Sequence, residues 1–176
     1  MTSRIKLLLS CMILLAATGC GVYSFTGASI APSVKTMSIQ YFNNDAGNGP
    51  PSLQQTFTEE IRDYYQQNTS LEFVDNNGDL QLEGSITGYR VTPIAITSSG
   101  DRNVADRAGG QRLTITVKAS YVNTKDETFN FENRTFSFYD DFDPNTTQLT
   151  AVEDQLIETI TDQIIIDIFN ASVANW

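Results

Sequence analysis

The sequence predicts an α/β (α+β) fold. Its form is a two-layer sandwich, with two amphipathic helices packed on one face of a mixed, mostly antiparallel sheet of about four strands. Three observations lead there. Two segments, one after Ser52 and one after Leu149, carry apolar residues at helical spacing. The stretch between them alternates apolar and polar residues with period two. A helix with one apolar stripe and a sheet with one apolar face each need a partner to cover them, and they cover each other.

The first element, residues 34–42 (VKTMSIQYF), is rich in β-formers and reads as a strand. Residues 43–51 (NNDAGNGPP) carry Asn, Gly and Pro turn signals and read as a loop. A helix is expected from Ser52, because Pro50 and Pro51 precede it and Ser52 with Gln55 has capping-box spacing. Leu53, Phe57, Ile61 and Tyr64 fall on one face, with Tyr65 beside them, and the helix should end near Asn68. Residues 71–74 form a short strand, and Asn76, Asn77, Gly78 and Asp79 a turn.

Leu80, Leu82, Gly84, Ile86 and Gly88 then alternate with Gln81, Glu83, Ser85 and Thr87. This is a half-buried strand whose glycines let a helix approach closely. Residues 91–110 begin as strand and continue through SSGDRNVADRAGG, a long hairpin connection of the kind that often carries function. Leu113, Ile115, Val117, Ala119 and Tyr121 alternate with Arg112, Thr114, Thr116, Lys118 and Ser120, the clearest strand in the chain. Residues 123–126 turn into a strand bearing Phe129, Phe131, Phe136 and Phe138. The first two are odd-numbered and the last two even, so either a bulge near Asn133 restores the register or one pair is exposed, and the bulge is the favoured reading.

The last helix is announced by Asp143 and Pro144 and by the capping-box spacing of Thr150 with Glu153. Leu149, Val152, Leu156, Ile160, Ile164 and Ile168 form its stripe, widened by Ile157, Ile165 and Phe169. Its other face holds Glu153, Asp154, Glu158, Asp162 and Asp167 and no basic residue. A helix lying in a membrane interface would carry Lys and Arg there, so the stripe reads as core.

Ahead of this domain stands a leader. Arg4 and Lys6 precede an apolar run over residues 7–17, broken only by Ser10 and Cys11 and too short to span a membrane. Ala17, Thr18 and Gly19 then lead to Cys20. Small residues before a cysteine mark a lipoprotein signal, in which the thiol accepts a diacylglycerol; Ala17 departs from the usual Leu at that position. The expected division is a removed signal at 1–19, a lipidated tether at 20–32 and a single domain at 33–176. By resemblance to bacterial lipoproteins generally, Gly21 rather than Asp after the cysteine favours delivery to the outer membrane. Cys11 leaves with the signal and Cys20 is acylated, so no disulfide or cysteine nucleophile is expected. Beyond the covalent N-acyl diacylglycerol on Cys20, no cofactor is implied, and two or more acyl chains anchor stably where one would not.

Charge excludes one large class of partner. The chain has a net charge of −10, and −12 once Arg4 and Lys6 are gone, which argues against nucleic-acid binding. The positive charge is concentrated between Arg90 and Arg134: Arg90, Arg102, Arg107, Arg112, Lys118, Lys125 and Arg134. That pattern suits either solvated strands or a surface that meets an anionic ligand. Histidine is absent, which removes the Ser-His-Asp triad and the usual zinc sites. Asp75 to Asp79 resembles the start of a calcium loop but has Leu80 and Ile86 where glycine and the bidentate acid belong, so a turn is the better reading. Asp140, Asp141 and Asp143 are paired-carboxylate candidates, more simply explained as loop solvation.

A lipidated Cys20 followed by Gly21, then Tyr23, Ser24, Phe25, Thr26 and Gly27, leads into the strand VKTMSIQYFNN, a proline-flagged helix, a glycine-bearing strand, a long-looped hairpin and a final helix. This resembles the lipopolysaccharide-assembly lipoprotein family, LptE, over essentially the whole mature chain. The Cys-Gly-x-Tyr-x-Phe start is the most specific part. The resemblance implies a non-enzymatic outer-membrane lipoprotein that assembles with and plugs a β-barrel translocon of the LptD type, which inserts lipopolysaccharide into the outer leaflet. Its domain would lie on the periplasmic side or within the barrel lumen. Under that reading Arg102 and Arg107 in the long loop, then Arg112 and Lys118 on the polar sheet face, are candidates to meet lipopolysaccharide phosphates. These four follow from charge and position. Alternatives are a lipoprotein that pilots a secretin or activates a cell-wall synthase, a hydrolase using the Asp140 to Asp143 carboxylates, and a lipid carrier. The last would need a cavity that two covering helices leave little room for.

Overall fold

A computed structural model describes residues 30–94 and 109–174. The strands are β1 (Thr36–Ile39), β2 (Asn43–Asn44), β3 (Glu72–Phe73), β4 (Leu80–Pro93), β5 (Gln111–Asn123) and β6 (Phe131–Phe142). The helices are α1 (Leu53–Asn68) and α2 (Leu149–Ser172), and a 3-10 turn, Glu127–Phe129, leads into β6. They form one sheet in the order β3-β1-β4-β5-β6, with β2 also on β4. β1 runs parallel to β3 and β4, whereas the long β4-β5-β6 meander is antiparallel. The mixed sheet under two helices is the expected architecture. The expected count of about four strands becomes six among the described residues, the excess lying in the two-residue pieces β2 and β3.

The segment 34–42 does not remain one strand. After Gln40, whose amide still bonds the Leu82 carbonyl, the chain leaves the sheet and rejoins it as β2. The cause is Phe42. Its amide donates to the Thr58 hydroxyl on α1 at 3.1 Å, and its fully buried ring lies over Gly84, where a Cβ would come within 2.5 Å of it. Gly84 thus makes room for a ring, not for a helix. Gly88 does neither: the β4-β5 register shifts between Ile86 and Gly88, which sends Gly88 to the other face and Tyr89 inward.

Both capping boxes are absent. Ser52 and Gln148 precede α1 and α2 without side-chain caps. Gln55 instead bonds Glu59, and Glu153 accepts the Tyr89 hydroxyl. On α1 the buried face is Leu53, Phe57, Ile61 and Tyr65, with Tyr64 only partly covered. The Tyr65 hydroxyl meets Ser172 Oγ at 2.6 Å, and Phe169 sits edge-on to both tyrosine rings. The α2 stripe from Leu156 to Phe169 is buried as expected. Each such side chain contributes about 1.5–3 kcal/mol through burial.

The bulge expected near Asn133 is present. Ala119 pairs with Arg134 and Tyr121 with Phe131, so β6 spends one extra residue there, and Asn133 adopts a left-handed φ of 49°. Phe131, Phe136 and Phe138 consequently share the helix-covered face, opposite Tyr121, Val117 and Ile115. Phe129 stays in the 3-10 turn, exposed.

Asp79 fastens the opposite end. Its carboxylate accepts the amides of Lys35 (2.9 Å) and Thr36 (3.2 Å) and pairs with Lys125 at 3.0 Å. The Lys35 amide first, then Lys125, hold its carboxyl down to about 2. No helix among the described residues is long and apolar enough to cross a membrane.

Candidate functional site

The helix-covered face of the sheet is filled with apolar side chains, so candidates for recognition lie on the other face. β5 presents Arg112, Thr114, Thr116, Lys118 and Ser120 there, and β6 sets Asp141, Tyr139, Ser137 and Thr135 opposite the first four. Thr116 and Ser137 join their hydroxyls at 3.0 Å. The face is polar because only one side of this sheet is covered, and hydroxyls satisfy themselves with neighbours or with water.

Arg112 is held firmly. Its Nε and Nη2 donate to the two carboxylate oxygens of Asp141 at 2.7 and 2.9 Å, and its guanidinium lies 3.5 Å from the centre of the Tyr139 ring. The hydrogen bonds from Arg112 hold the Asp141 carboxyl below the usual range, and Asp141 in turn raises Arg112. Arg112 therefore meets any anion with its charge already shared. Lys118 is exposed in an open groove with Tyr41, Asp45, Glu83 and Asn133, where the two carboxylates compete with an incoming anion. Six residues of extended chain separate Lys118 from Arg112, about 20 Å, so the fold does not bring them together.

A residue outside the sequence-based set does join Arg112. Arg90 lies opposite Thr114, diagonally across from Arg112, which itself opposes Thr92. Strict alternation along β4 would assign Arg90 to the face of Leu80, Leu82 and Ile86. Only the bulge after Ile86 turns it outward, and no local signal reports that. Both arginines stand at the sheet end where Ile94 and Gly110 are bonded across the root of the connecting segment. Arg102 and Arg107 belong to that segment and lie outside the described residues, as does Cys20.

The three aspartates do not form a catalytic pair. Asp141 faces outward with Arg112, while Asp140 sits one residue away on the opposite face. Asp143 accepts from the amide and side chain of Asn145, shaping the turn before α2. Asp79 is spent on β1 and Lys125, and the described residues contain no cluster of three or more metal-ligating side chains. The groove between the helices is acidic: Glu60, Asp154 and Glu158 line it, and burial raises Glu60 although Thr161 donates to it.

No curated protein matches this sequence. Among solved structures, a hypothetical protein from Chlamydia trachomatis superposes with a TM-score of 0.52 at 9% identity, over 81% of this chain and 99% of that one. An uncharacterized lipoprotein B from Nitrosomonas europaea gives 0.49 at 11% identity, covering 86% and 88%. A minor lipoprotein from Acinetobacter baumannii gives 0.47 at 12%, covering 77% and 90%. At 9% identity the Chlamydia trachomatis likeness shows the fold alone. Sequence is more specific: the lipopolysaccharide-assembly model, LptE, matches residues 34–172, from two residues before β1 to the end of α2, and the chain therefore belongs to the LptE family.

Proposed function

We propose that this protein is a non-enzymatic lipoprotein, anchored in the outer membrane through an acylated Cys20, that assembles with and plugs a β-barrel translocon of the LptD type. The family match over residues 34–172 carries this reading. The leader ending at Cys20 supports the anchor, and the division into signal 1–19, tether 20–32 and domain 33–176 goes with it. A filled core and carboxylates committed to structural partners suit a protein that binds rather than catalyses. Contact with lipopolysaccharide would fall to Arg102 and Arg107, with Arg112 and Lys118 on the outer sheet face behind them. Arg90, beside Arg112, joins that set.

The test is purification of the tagged, lipidated protein from its own membranes in mild detergent, with partners identified by mass spectrometry. A stoichiometric large β-barrel supports the proposal. A secretin, a cell-wall synthase or no partner would overturn it. Given a barrel, reversing Arg102 and Arg107 to Glu should weaken lipopolysaccharide binding to the complex; unchanged binding would remove these two residues from the role.

A further inference from the structure

The two lateral edges of the sheet differ. β3, at one end, pairs through two residues only. β6, at the other, runs for 12 residues, and among the described residues no strand adds to its outer side. A long edge presents unpaired N–H and C=O groups and is a template for another strand unless something protects it. Protection here is confined to the ends. The bulge at Asn133 and the charge of Arg134 guard one side, and Asp140 with Asp141 the other. Between them, residues 135–139 (TFSFY) are uncharged and rich in strand-forming side chains.

The stretch 134–140 is regular, each residue opposing one residue of β5, and its midpoint is Ser137. Placing a second copy antiparallel about that midpoint sets Arg134 opposite Asp140 of the other copy, twice, and Phe136 opposite Phe138, twice. All four residues lie on the helix-covered side of β6. Neither Arg134 nor Asp140 has an ion pair with a described residue; the Arg134 guanidinium lies 5.2 Å from the centre of the Phe136 ring, and among the described residues Asp140 accepts only the Asp141 amide. The flank of α2 bordering the β6 edge carries Asp167, Asn170 and Ala171, which share an open groove with Arg134 and Phe136. Asp154 and Glu158 are turned toward α1 instead.

We propose that the free edge of β6 is a two-fold interface at which a second copy of this chain continues the sheet, β6 against β6, in the register centred on Ser137. Charge complementarity selects the occupant. The edge carries its own opposite charge at the matching distance, so a copy satisfies both of its ends at once, and direct cross-strand pairs of this kind are the unit that stabilises a sheet. This inference concerns the chain with itself and does not depend on which barrel it joins.

A cysteine at Ser137 tests the register. Residues directly opposed across antiparallel strands have Cα atoms about 4.5–5.5 Å apart, within disulfide range. The full-length chain carrying Ser137→Cys, expressed in its own cell envelope, should run as a reducible dimer on a non-reducing gel. The parent chain on the same gel controls for Cys11 and Cys20, its only cysteines. Thr135→Cys should remain monomeric, because Tyr139 is its cross-strand neighbour in this register. Added to Ser137→Cys, either Arg134→Asp or Asp140→Arg should lower the dimer fraction about tenfold by turning two attractions into repulsions, and the swapped pair Arg134→Asp/Asp140→Arg should restore it. Restoration by the swap also shows that the single variants fold. The proposal is overturned by a Ser137→Cys chain that stays monomeric, by its disulfide forming instead with another protein or with a cysteine placed in the N-terminal tether, or by dimer fractions indifferent to the charge changes.

Discussion

β5 turns Leu113, Ile115, Val117, Ala119 and Tyr121 toward the helices and Arg112, Thr114, Thr116, Lys118 and Ser120 away from them. The two faces of one strand follow different physics. The five inward residues are nearly inaccessible to water, and their contribution is set by close packing that leaves no slack. The outward residues keep their solvent, and even in the best-formed contact there the Arg112 and Asp141 side chains are about a third exposed. The inner face therefore holds the fold and the outer face is free to be used.

Substitutions should separate the faces in order. Ile115→Ala, at a site with no exposure, should cost about 2–5 kcal/mol through lost burial and a residual cavity, read from the urea unfolding midpoint. A loss below about 1 kcal/mol would mean the inner face is loosely packed. Gly84→Ala should cost about 1–3 kcal/mol, because its methyl would press on the Lys118 carbonyl and the Phe42 ring. Relief by the further change Phe42→Leu would identify the ring as the obstacle.

Asp79 gives a pH signature that neither face shares. Its folded carboxyl is held at about 2, below the ordinary value near 3.9, so its contribution is fully present above pH 4 and disappears as pH falls from about 4 through about 2. In Asp79→Asn this part of the acid dependence should vanish. A chain whose stability below pH 4 is unaltered by the substitution would contradict the assignment.

On the outer face, Arg112→Ala should shift the urea midpoint far less than Ile115→Ala does, and less still in high salt, as an exposed ion pair is screened. Lys118→Ala should stay within about 0.5 kcal/mol. Large losses at either position would erase the distinction between the faces.

Much of the sandwich is legible in particular residues. The spacing of Leu53, Phe57 and Ile61 locates α1 to within a residue, and of the two ways to resolve the parity break between Phe131 and Phe136, a bulge or an exposed pair, the favoured bulge is the one found at Asn133. The capping boxes illustrate the opposite. Their spacing is present, yet Gln55 and Glu153 find other partners, and Glu153 does so in Tyr89, 64 residues away. The candidate site is less legible than the fold. Alternation places Arg112 and Lys118 on the polar face correctly but says nothing of Asp141, 29 residues distant, which takes up Arg112, or of the 20 Å of strand that keeps Lys118 apart.

By itself the sequence determines the two helices, the long antiparallel strands and which face of β5 is buried, because each of these is written in neighbouring residues as a period. The tertiary structure alone decides that Arg90 joins Arg112, that Phe42 occupies the space above Gly84 and that β6 is the open edge among the described residues. Those outcomes depend on cross-strand register, and one bulge, as after Ile86, reverses the faces of every residue beyond it without a local mark.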